Sequence, residues 1–271
     1  MADQTITTIQ KDQTPKFTSD VTIHILDDVE LRSPIMLEGL PGVGHVGKLV
    51  AEHLIDMFDA KRIIDIYSTH FPPQVMVNDD CTVRMVRNEI YAHRAEDDGI
   101  DLLILVGDHQ STTSEGHYTL CNTFLDIAEQ FNVSRIYSLG GCPTGQLEEA
   151  DTVIGTVNNP DLIDELTEHG VEFEEGEPWT GIFGTSGILL PMSRARGIDA
   201  ACLMGITSGY LVDPKSAQAV IEVLASLLKI DVDTQALEEH AAEMEKVVAK
   251  LQEMQQYSGM NKTEDDLRYI G

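Results

Sequence analysis

The hydrophobic pattern of the chain alternates between short apolar runs and segments of helical periodicity. Nearly unbroken apolar runs predict buried strands at 34–40, 62–68, 101–108, 135–141, 150–158 and 198–207. Segments of helical spacing or helix length lie at 46–58, 117–131, 160–170 and 184–197. Strands that are apolar on both faces and separated by helices predict a single α/β domain, with a central mixed, largely parallel sheet flanked by helices.

Two further segments have their own patterns. Two short alternating runs within 82–92, on either side of Arg87-Asn88, predict a β-hairpin. From Pro214 onward the pattern is helical. It continues as a heptad seam with apolar positions at Leu237, Ala241, Met244, Val248 and Leu251. This seam predicts either packing back on the domain or a subunit contact. We therefore expect a flexible segment at 1–19, an α/β core at 20–230, a C-terminal helix at 231–257 and a flexible tail at 258–271.

Composition and charge narrow the class of protein. The 271 residues, 42% of them hydrophobic, can bury a core without disulfides, and the four scattered cysteines fit a reduced cytoplasm. A formal charge of -28 argues against nucleic acid as a partner and is typical of a surface adapted to high salt, although an acidic partner-binding face would also explain it. No apolar run is long enough to predict a membrane span.

The glycine-rich stretch after the first predicted buried strand fits two nucleotide-binding patterns and completes neither. Gly42, Gly44 and Gly47 spell G-x-G-x-x-G, while Gly42 through Lys48 spell most of a P-loop. A P-loop needs Ser or Thr after the lysine to hold magnesium, but Leu49 stands there and belongs to the apolar stripe of the following helix. The favoured interpretation is a tight turn with close helix-sheet packing, and the alternative is a ligand-binding turn at Gly42, Gly44, His45 and Gly47.

A dinucleotide site would also need an acid at the tip of the second strand, and Asp65 lies inside that strand instead. Asp108 resembles a Walker B acid only because it follows a buried strand. Glycine turns at 140–145 and 184–187 leave open a small-anion site that would use backbone N–H groups and Arg194 or Arg196.

The sequence predicts no catalytic residues and no cofactor. Ser186 lacks the spacing of a nucleophile elbow, and Cys142 has no evident histidine partner. His109 and His117 could ligate a metal, but histidines in loops of an acidic protein are more often solvated, so we expect no metal site.

Three segments in this order resemble the second proteasome assembly chaperone family in its archaeal branch: GLPGVGHVGKLVAEHLI, the GGCPTG turn, and GTSGILLPMSRARGI before a helical C-terminus. The resemblance covers most of 20–230. It implies a fold like that of nucleoside phosphorylases and peptidyl hydrolases, no enzymatic reaction, and homo-oligomers. It also implies binding to the proteasome core through a C-terminal tail that ends in a hydrophobic residue, tyrosine and any residue. In that family the tail enters pockets between α subunits, where its carboxylate meets a lysine.

The C-terminus departs from that tail pattern. The chain ends Leu267-Arg268-Tyr269-Ile270-Gly271, with tyrosine third from the end instead of second. In an extended tail, a shift of one residue moves the ring by about 3.3 Å and turns it to the other side. This departure implies either an altered pocket contact or another role, such as packing on a neighbouring subunit, and a disordered terminus is the third interpretation. The predicted partner-binding residues are Leu267, Tyr269, Ile270 and Gly271, because an apolar cluster after an acidic linker is unusual for a solvating tail.

Two hypotheses of different class follow. The first is a non-enzymatic, cytoplasmic, homo-oligomeric protein of the chaperone type that binds proteasome α subunits or another protein, from a salt-adapted archaeon. The second is an enzyme or sensor that binds a nucleotide or small anion at the glycine turns. A structural oligomer with a partner outside proteolysis is a third.

Overall fold

A nine-stranded sheet forms the centre of the protein. The computed structural model describes residues 6–9, 19–96, 99–145, 151–173 and 181–242. In chain order the strands are β1 (Ile6–Ile9), β2 (Val21–Ile25), β3 (Val29–Arg32), β4 (Ile35–Glu38), β5 (Lys61–Ser68), β6 (Val75–Val77), β7 (Val83–Met85), β8 (Asn88–His93), β9 (Leu102–Gly107), β10 (Arg135–Pro143), β11 (Val153–Val157), β12 (Val171–Glu172) and β13 (Asp199–Thr207).

Helices occupy the intervals between most of the central strands. They are α1 (Val46–Met57), α2 (Ser114–Gln130), α3 (Ile163–Glu168), α4 (Thr185–Ala195) and α5 (Pro214–Leu228), with 3-10 turns at Val43–His45 and Pro160–Leu162. A further helix begins at 235 and is described as far as 242. Among the described residues, no helix is both long and apolar enough to cross a membrane.

The large sheet is mixed, with a parallel centre. Its order is β12-β11-β13-β10-β4-β9-β8-β5-β2. The four strands β13, β10, β4 and β9 are mutually parallel, whereas β8, β5 and β2 on one side and β11 on the other pair antiparallel to their inner neighbours. Because the four parallel strands end at the same edge, the loops that follow them meet there, where ligand sites form in open α/β sheets.

Helices on both faces explain why the central strands are apolar throughout. In β9, Leu103 and Leu105 belong to the core under α2 and α4, while Leu102, Ile104 and Val106 belong to the core under α1 and α5. All six residues of β9 are buried. The predicted α/β class with a mixed, largely parallel sheet covered on both faces is therefore confirmed.

Local capping fixes where the helices begin. Helix α2 starts at Ser114, three residues before the predicted start, because the Thr113 side chain accepts a hydrogen bond from the Gly116 N–H at 3.1 Å. Helix α5 starts at Pro214, where Asp213 caps the Ser216 N–H at 3.0 Å. Proline at the first helical position loses no hydrogen bond.

The predicted hairpin about Arg87-Asn88 is wrong. Strand β7 pairs with β6, Val77 lying opposite Val83, whereas β8 pairs with β5 and β9 inside the large sheet. The chain bends between Met85 and Asn88 because the Arg87 N–H donates to the Asp108 carboxylate at 3.1 Å. The two alternating runs thus belong to different sheets.

The structure adds detail to the two terminal segments, the N-terminal 1–19 and the C-terminal heptad seam. Within 1–19, where we expected a flexible chain, Ile6–Ile9 form β1 and pair antiparallel with β3. Leu237, the first position of the predicted heptad seam, is buried against the core under α1 and α5, so the seam begins by packing back on the domain. Met244, Val248 and Leu251 lie outside the described residues.

Candidate functional site

The turn after β4 adopts its shape through Gly44 and His45. Gly44 has φ 62° and His45 has φ 53°, both in the left-handed region, and α1 begins directly afterwards at Val46. Gly42 is extended, with φ -149°, and a Cβ built on it would have no neighbour closer than 3.9 Å. The turn therefore requires glycine at 44, tolerates histidine at 45, and does not require glycine at 42.

Gly47 is required by packing. A Cβ at Gly47 would lie 2.0 Å from the Leu139 carbonyl oxygen, and a Cβ at Gly39 would lie 2.3 Å from the Gly47 carbonyl oxygen. Helix α1 thus rests directly on the backbone of β10 and on the residue after β4. This contact explains the third glycine of the G-x-G-x-x-G pattern without a ligand.

The other residues of the nucleotide patterns are engaged elsewhere. Leu49 packs against the core under α1 and α5, and Lys48 pairs with Glu52 at 3.5 Å. Asp108 accepts two hydrogen bonds from the Arg84 guanidinium, at 2.5 and 2.8 Å, which lower its pKa against the opposing effect of burial. Asp65 is buried in the middle of β5, with Arg87 3.6 Å away. None of them is arranged to hold phosphate, ribose or magnesium.

A cleft of about 890 Å³ lies at the carboxyl edge of the parallel strands. Its walls come from the turns after β4 and β9, from β10, β11 and β13, from the first turn of α2, and from the loop before α4 with the start of that helix. Most of its side chains are apolar, among them Leu40, Leu139, Ile154, Ile182 and Met204. The predicted ligand turn contributes Gly42 to the lining of this cleft, and His45 is exposed. Gly44 is buried beside Thr207, and Gly47, inside α1, is buried against β10.

Gln110 connects two of the glycine-rich turns at the cleft. Its side-chain amide donates to the Pro41 carbonyl at 2.8 Å, and its side-chain oxygen accepts from the Thr185 N–H at 3.0 Å. Gln110 therefore occupies the first N–H of α4 that an anion would otherwise use. Nothing in the local sequence around Gln110 distinguishes it from an ordinary polar residue after a strand.

Glu38 forms a fully buried carboxyl cluster below the cleft. Its Oε2 accepts from the hydroxyls of Ser138 and of Ser186, the latter at 3.0 Å, and its Oε1 accepts from the Leu40 N–H at 3.1 Å. Burial raises the pKa of Glu38, and these hydrogen bonds oppose that shift without cancelling it. The sequence signal for this cluster, an acid inside a buried strand, was available but did not reveal its partners.

This cluster is poorly suited to nucleophilic catalysis. Ser186 lines the cleft and donates a hydrogen bond to Glu38. Because burial raises the pKa of Glu38, its carboxyl favours the protonated form and is a poor general base for Ser186. No histidine accepts a hydrogen bond from Ser186 in the described structure. Burial likewise raises the pKa of the Cys121 thiol to about 12 and that of Cys202 further, with Glu38 adding to both. The buried hydrogen bonds of Glu38 connect β4 to β10 and α4.

The histidines at the cleft do not form a metal centre. His109 Nε2 lies 2.6 Å from the Gln74 side-chain amide, from which it accepts a hydrogen bond. Burial lowers the pKa of His117, whose Nδ1 has no hydrogen-bond partner in the described structure. No group of three histidine, cysteine or acidic side chains with metal-binding geometry occurs within the described ranges.

The two arginines suggested for a small-anion site lie away from the cleft. Arg194 pairs with Asp199 at 3.3 Å, and Arg196 pairs with Asp126 at 2.5 Å and Glu129 at 2.9 Å. Both lie at the carboxyl end of α4, about 15 Å along the helix from the cleft. The suggestion that either would serve an anion at the glycine turns is therefore wrong.

The fold and cleft define a class of protein: a three-layer α/β protein with a mostly apolar cleft at the carboxyl edge of its sheet and no catalytic set among the described residues. Comparison with known proteins makes this specific. The PAC2 family matches residues 36–252, and the chain belongs to that family.

Two of the similar solved structures are archaeal proteins whose descriptions mention the proteasome. The chain is similar to Pyrococcus furiosus PbaB, described as an archaeal proteasome activator, with 35% identity, a TM-score of 0.81, and coverage of 86% of this chain and 99% of that one. It shares the fold of Pyrococcus furiosus PbaA, described as an archaeal homolog of proteasome-assembly chaperone, with 23% identity, a TM-score of 0.71, and coverage of 93% and 100%. An uncharacterized protein of Methanocaldococcus jannaschii is 34% identical over 93% of this chain and 97% of its own length.

These matches confirm the resemblance to archaeal proteasome assembly chaperones. The matched proteins include one described as an archaeal homolog of proteasome-assembly chaperone. The predicted tail contacts at Leu267, Tyr269, Ile270 and Gly271 lie outside the described residues and stay predictions.

Proposed function

We propose that this protein is a non-enzymatic, homo-oligomeric proteasome-binding protein of the assembly-chaperone type that acts in the cytoplasm. The observation that carries the proposal is the family match over 36–252 together with 35% identity to a protein described as an archaeal proteasome activator. The α subunits of the proteasome core are the proposed partner, and the C-terminal tail is the proposed point of contact.

The geometry of the cleft supports binding over chemistry. The glycine turn at 42–47 is accounted for by packing at Gly47 and by backbone conformation at Gly44. Asp108 is held by Arg84, and Ser186 donates to a carboxyl whose pKa is raised. The alternative of a nucleotide- or anion-binding enzyme or sensor is not favoured, because the described residues at these turns offer no free cation.

The tail is proposed to act as a tethered docking peptide. From Tyr257, the end of the predicted C-terminal helix, to Tyr269, twelve residues of chain span at most about 40 Å. At high ionic strength exposed ion pairs are strongly screened, so the contact should depend on the apolar side chains of Leu267, Tyr269 and Ile270.

Affinity capture of proteasome α subunits in molar potassium chloride tests the proposal. Removing residues 267–271 should lower capture at least tenfold and leave the melting temperature unchanged, because the described core ends at 242. Tyr269→Ala should weaken capture in the same direction, and Tyr257→Ala is the matched control, a tyrosine at the end of the predicted C-terminal helix and outside the docking peptide. Capture unaffected by the truncation would rule out the tail.

The register of the tail can be tested with one further variant. Deleting Gly271 moves Tyr269 to the second position from the end and restores its spacing to the terminal carboxylate. If the docking follows the family pattern, this variant should bind more tightly than the natural chain. Weaker binding would show that this tail uses a register of its own.

A further inference from the structure

The hairpin formed by β6 and β7 presents four apolar side chains to solvent on one face. Val75 lies opposite Met85 and Val77 opposite Val83, so all four project to the same side, which we call the hairpin face. Their residues are 54%, 48%, 71% and 62% exposed in that order. The largest contiguous apolar patch on a protein surface is often a functional contact site.

The hairpin is fixed to the body of the protein, so the hairpin face has a defined orientation. On the opposite side, Met76 packs against the core and Arg84 forms its two hydrogen bonds with Asp108. At the base, the Gln74 side chain bonds to His109 at 2.6 Å. A rigid element that buries one face and exposes an apolar other face is suited to a contact surface.

An apolar groove adjoins the hairpin face at its base. This groove of about 590 Å³ has Phe71 and Val86 as buried parts of its wall, and it is completed by Pro72, Pro73, Val75 and Met85 among others. The most exposed pair, Val77 and Val83, lies two residues further along the strands, about 7 Å away. The same region therefore contains a projecting apolar tip and an apolar recess.

We propose that the hairpin face and its groove form an interface with a second copy of this chain, related by two-fold symmetry. In such an interface a surface must be complementary to itself, and a tip beside a recess meets that requirement when the tip of each copy enters the groove of the other. The inference rests on the oligomeric binding role proposed above and assigns a surface to it.

The size of the hairpin face and the absence of charge on its four side chains suit a contact with a second copy. The hairpin face measures on the order of a few hundred Å², which suits the apolar core of an interface that buries about 800 Å² on each partner. The four outward side chains carry no charge, and Arg84 is directed inward, while Asp79 and Asp80 lie in the turn at the rim. Two chains of charge -28 repel each other, so a contact between copies must exclude charge from its centre.

The charge also gives the interface a salt dependence. Added salt screens the repulsion between copies and leaves the apolar contact in place. Association through the hairpin face should therefore strengthen as potassium chloride rises, the opposite of an interface that depends on ion pairs.

Sedimentation velocity of the full chain across a potassium chloride series tests the interface. The natural protein should sediment as a dimer or larger assembly, and Val77→Glu with Val83→Glu should lower its mass at least twofold at the same concentration. Both side chains are exposed in the single copy, so the far-ultraviolet circular dichroism should not change. Tyr118→Glu, at an exposed aromatic residue on α2, is the matched control and should keep the natural mass.

A conservative pair of variants covers the case in which the glutamates disturb folding. Val77→Thr with Val83→Thr keeps the branched shape and strand propensity and replaces a methyl group with a hydroxyl on each side chain, so dimerisation should weaken severalfold in a folded protein. An unchanged mass for both double variants, or a natural protein that is monomeric at every salt concentration, would overturn the inference.

The same samples separate this inference from the tail proposal. The chain that lacks residues 267–271 should keep its mass and lose α-subunit capture, which would show that the two contacts are independent. If the hairpin variants keep their mass but lose capture, the hairpin face binds the proteasome subunit and not a second copy, and the inference fails. If they keep both, the inference fails and the tail proposal stands.

Discussion

Replacing Gly47 with alanine should destabilise the protein, whereas replacing Gly42 should not. At Gly47 the new Cβ would lie 2.0 Å from the Leu139 carbonyl oxygen, and ordinary contacts begin near 3.4 Å, so about 1.4 Å of movement is required. The obstructing atom belongs to the backbone of a central strand and cannot rotate away. Helix α1 must lift instead and loosen Val46, Val50 and the other fully buried side chains of its inner face.

The expected cost follows from two opposing effects. Overpacking of this kind costs about 3 kcal/mol, and the gain in helix propensity from glycine to alanine returns about 1 kcal/mol. We therefore expect Gly47→Ala to lower the free energy of unfolding by about 2 kcal/mol or more, a fall in melting temperature of about 5 °C. Gly42→Ala meets nothing within 3.9 Å and has an extended φ, so it should fall between no change and a gain of about 1 kcal/mol.

Guanidinium chloride unfolding followed by circular dichroism, with no ligand present, measures both variants. If the glycines had been placed to cradle a ligand, neither substitution should affect the empty protein, and both should affect binding. A Gly47→Ala variant as stable as the natural protein, or a Gly42→Ala variant as unstable as Gly47→Ala, would refute the packing explanation.

Three further predictions concern buried groups. The pKa of Glu38 is raised in the folded state, so the native protein keeps the Glu38 carboxyl protonated to higher pH than the unfolded chain does. The protonated carboxyl therefore contributes its full stabilisation below about pH 4.5, and this stabilisation is lost as the pH rises through the folded pKa. Glu38→Gln should remove this decline, by up to about 1.4 kcal/mol per pH unit, in melting curves from pH 4.5 to 8; parallel curves for the two proteins would contradict it. Ellman's reagent should modify only Cys81 rapidly in the native protein, because the other three cysteines, Cys121, Cys142 and Cys202, are buried. A second thiol that reacts rapidly would contradict the described core. Leu237→Ala should lower the free energy of unfolding by about 2 to 4 kcal/mol in chemical denaturation, whereas a loss of assembly without a loss of stability would mean that Leu237 serves a subunit contact.

The sequence predicts the order of the central elements because burial on both faces leaves a direct pattern. The run at 101–108 contains strand β9, and the helical spacing after Gly44 becomes α1, with Leu49 packed toward the core. The tight-turn interpretation of the glycines is confirmed at Gly44 and Gly47 and is unnecessary at Gly42.

What the sequence does not predict depends on contacts between distant residues. Glu38 and Ser186 are 148 positions apart, and Gln110 reaches Thr185 across 75. The hairpin about Arg87 was mispredicted because alternation shows that a strand is half exposed but does not identify its partner, and the three residues of β6 are too few to reveal a period. The cleft, the buried carboxyl and the hairpin face all depend on such contacts.

Co-sedimentation of the full chain with assembled archaeal proteasome cores, in molar potassium chloride and without any added small molecule, tests the central claim most directly. The claim is that this protein acts by binding another polypeptide. The account predicts that the chain sediments with the cores in a saturable amount and that the chain lacking residues 267–271 stays in the supernatant. A folded natural chain that remains wholly in the supernatant at saturating core concentration would contradict it.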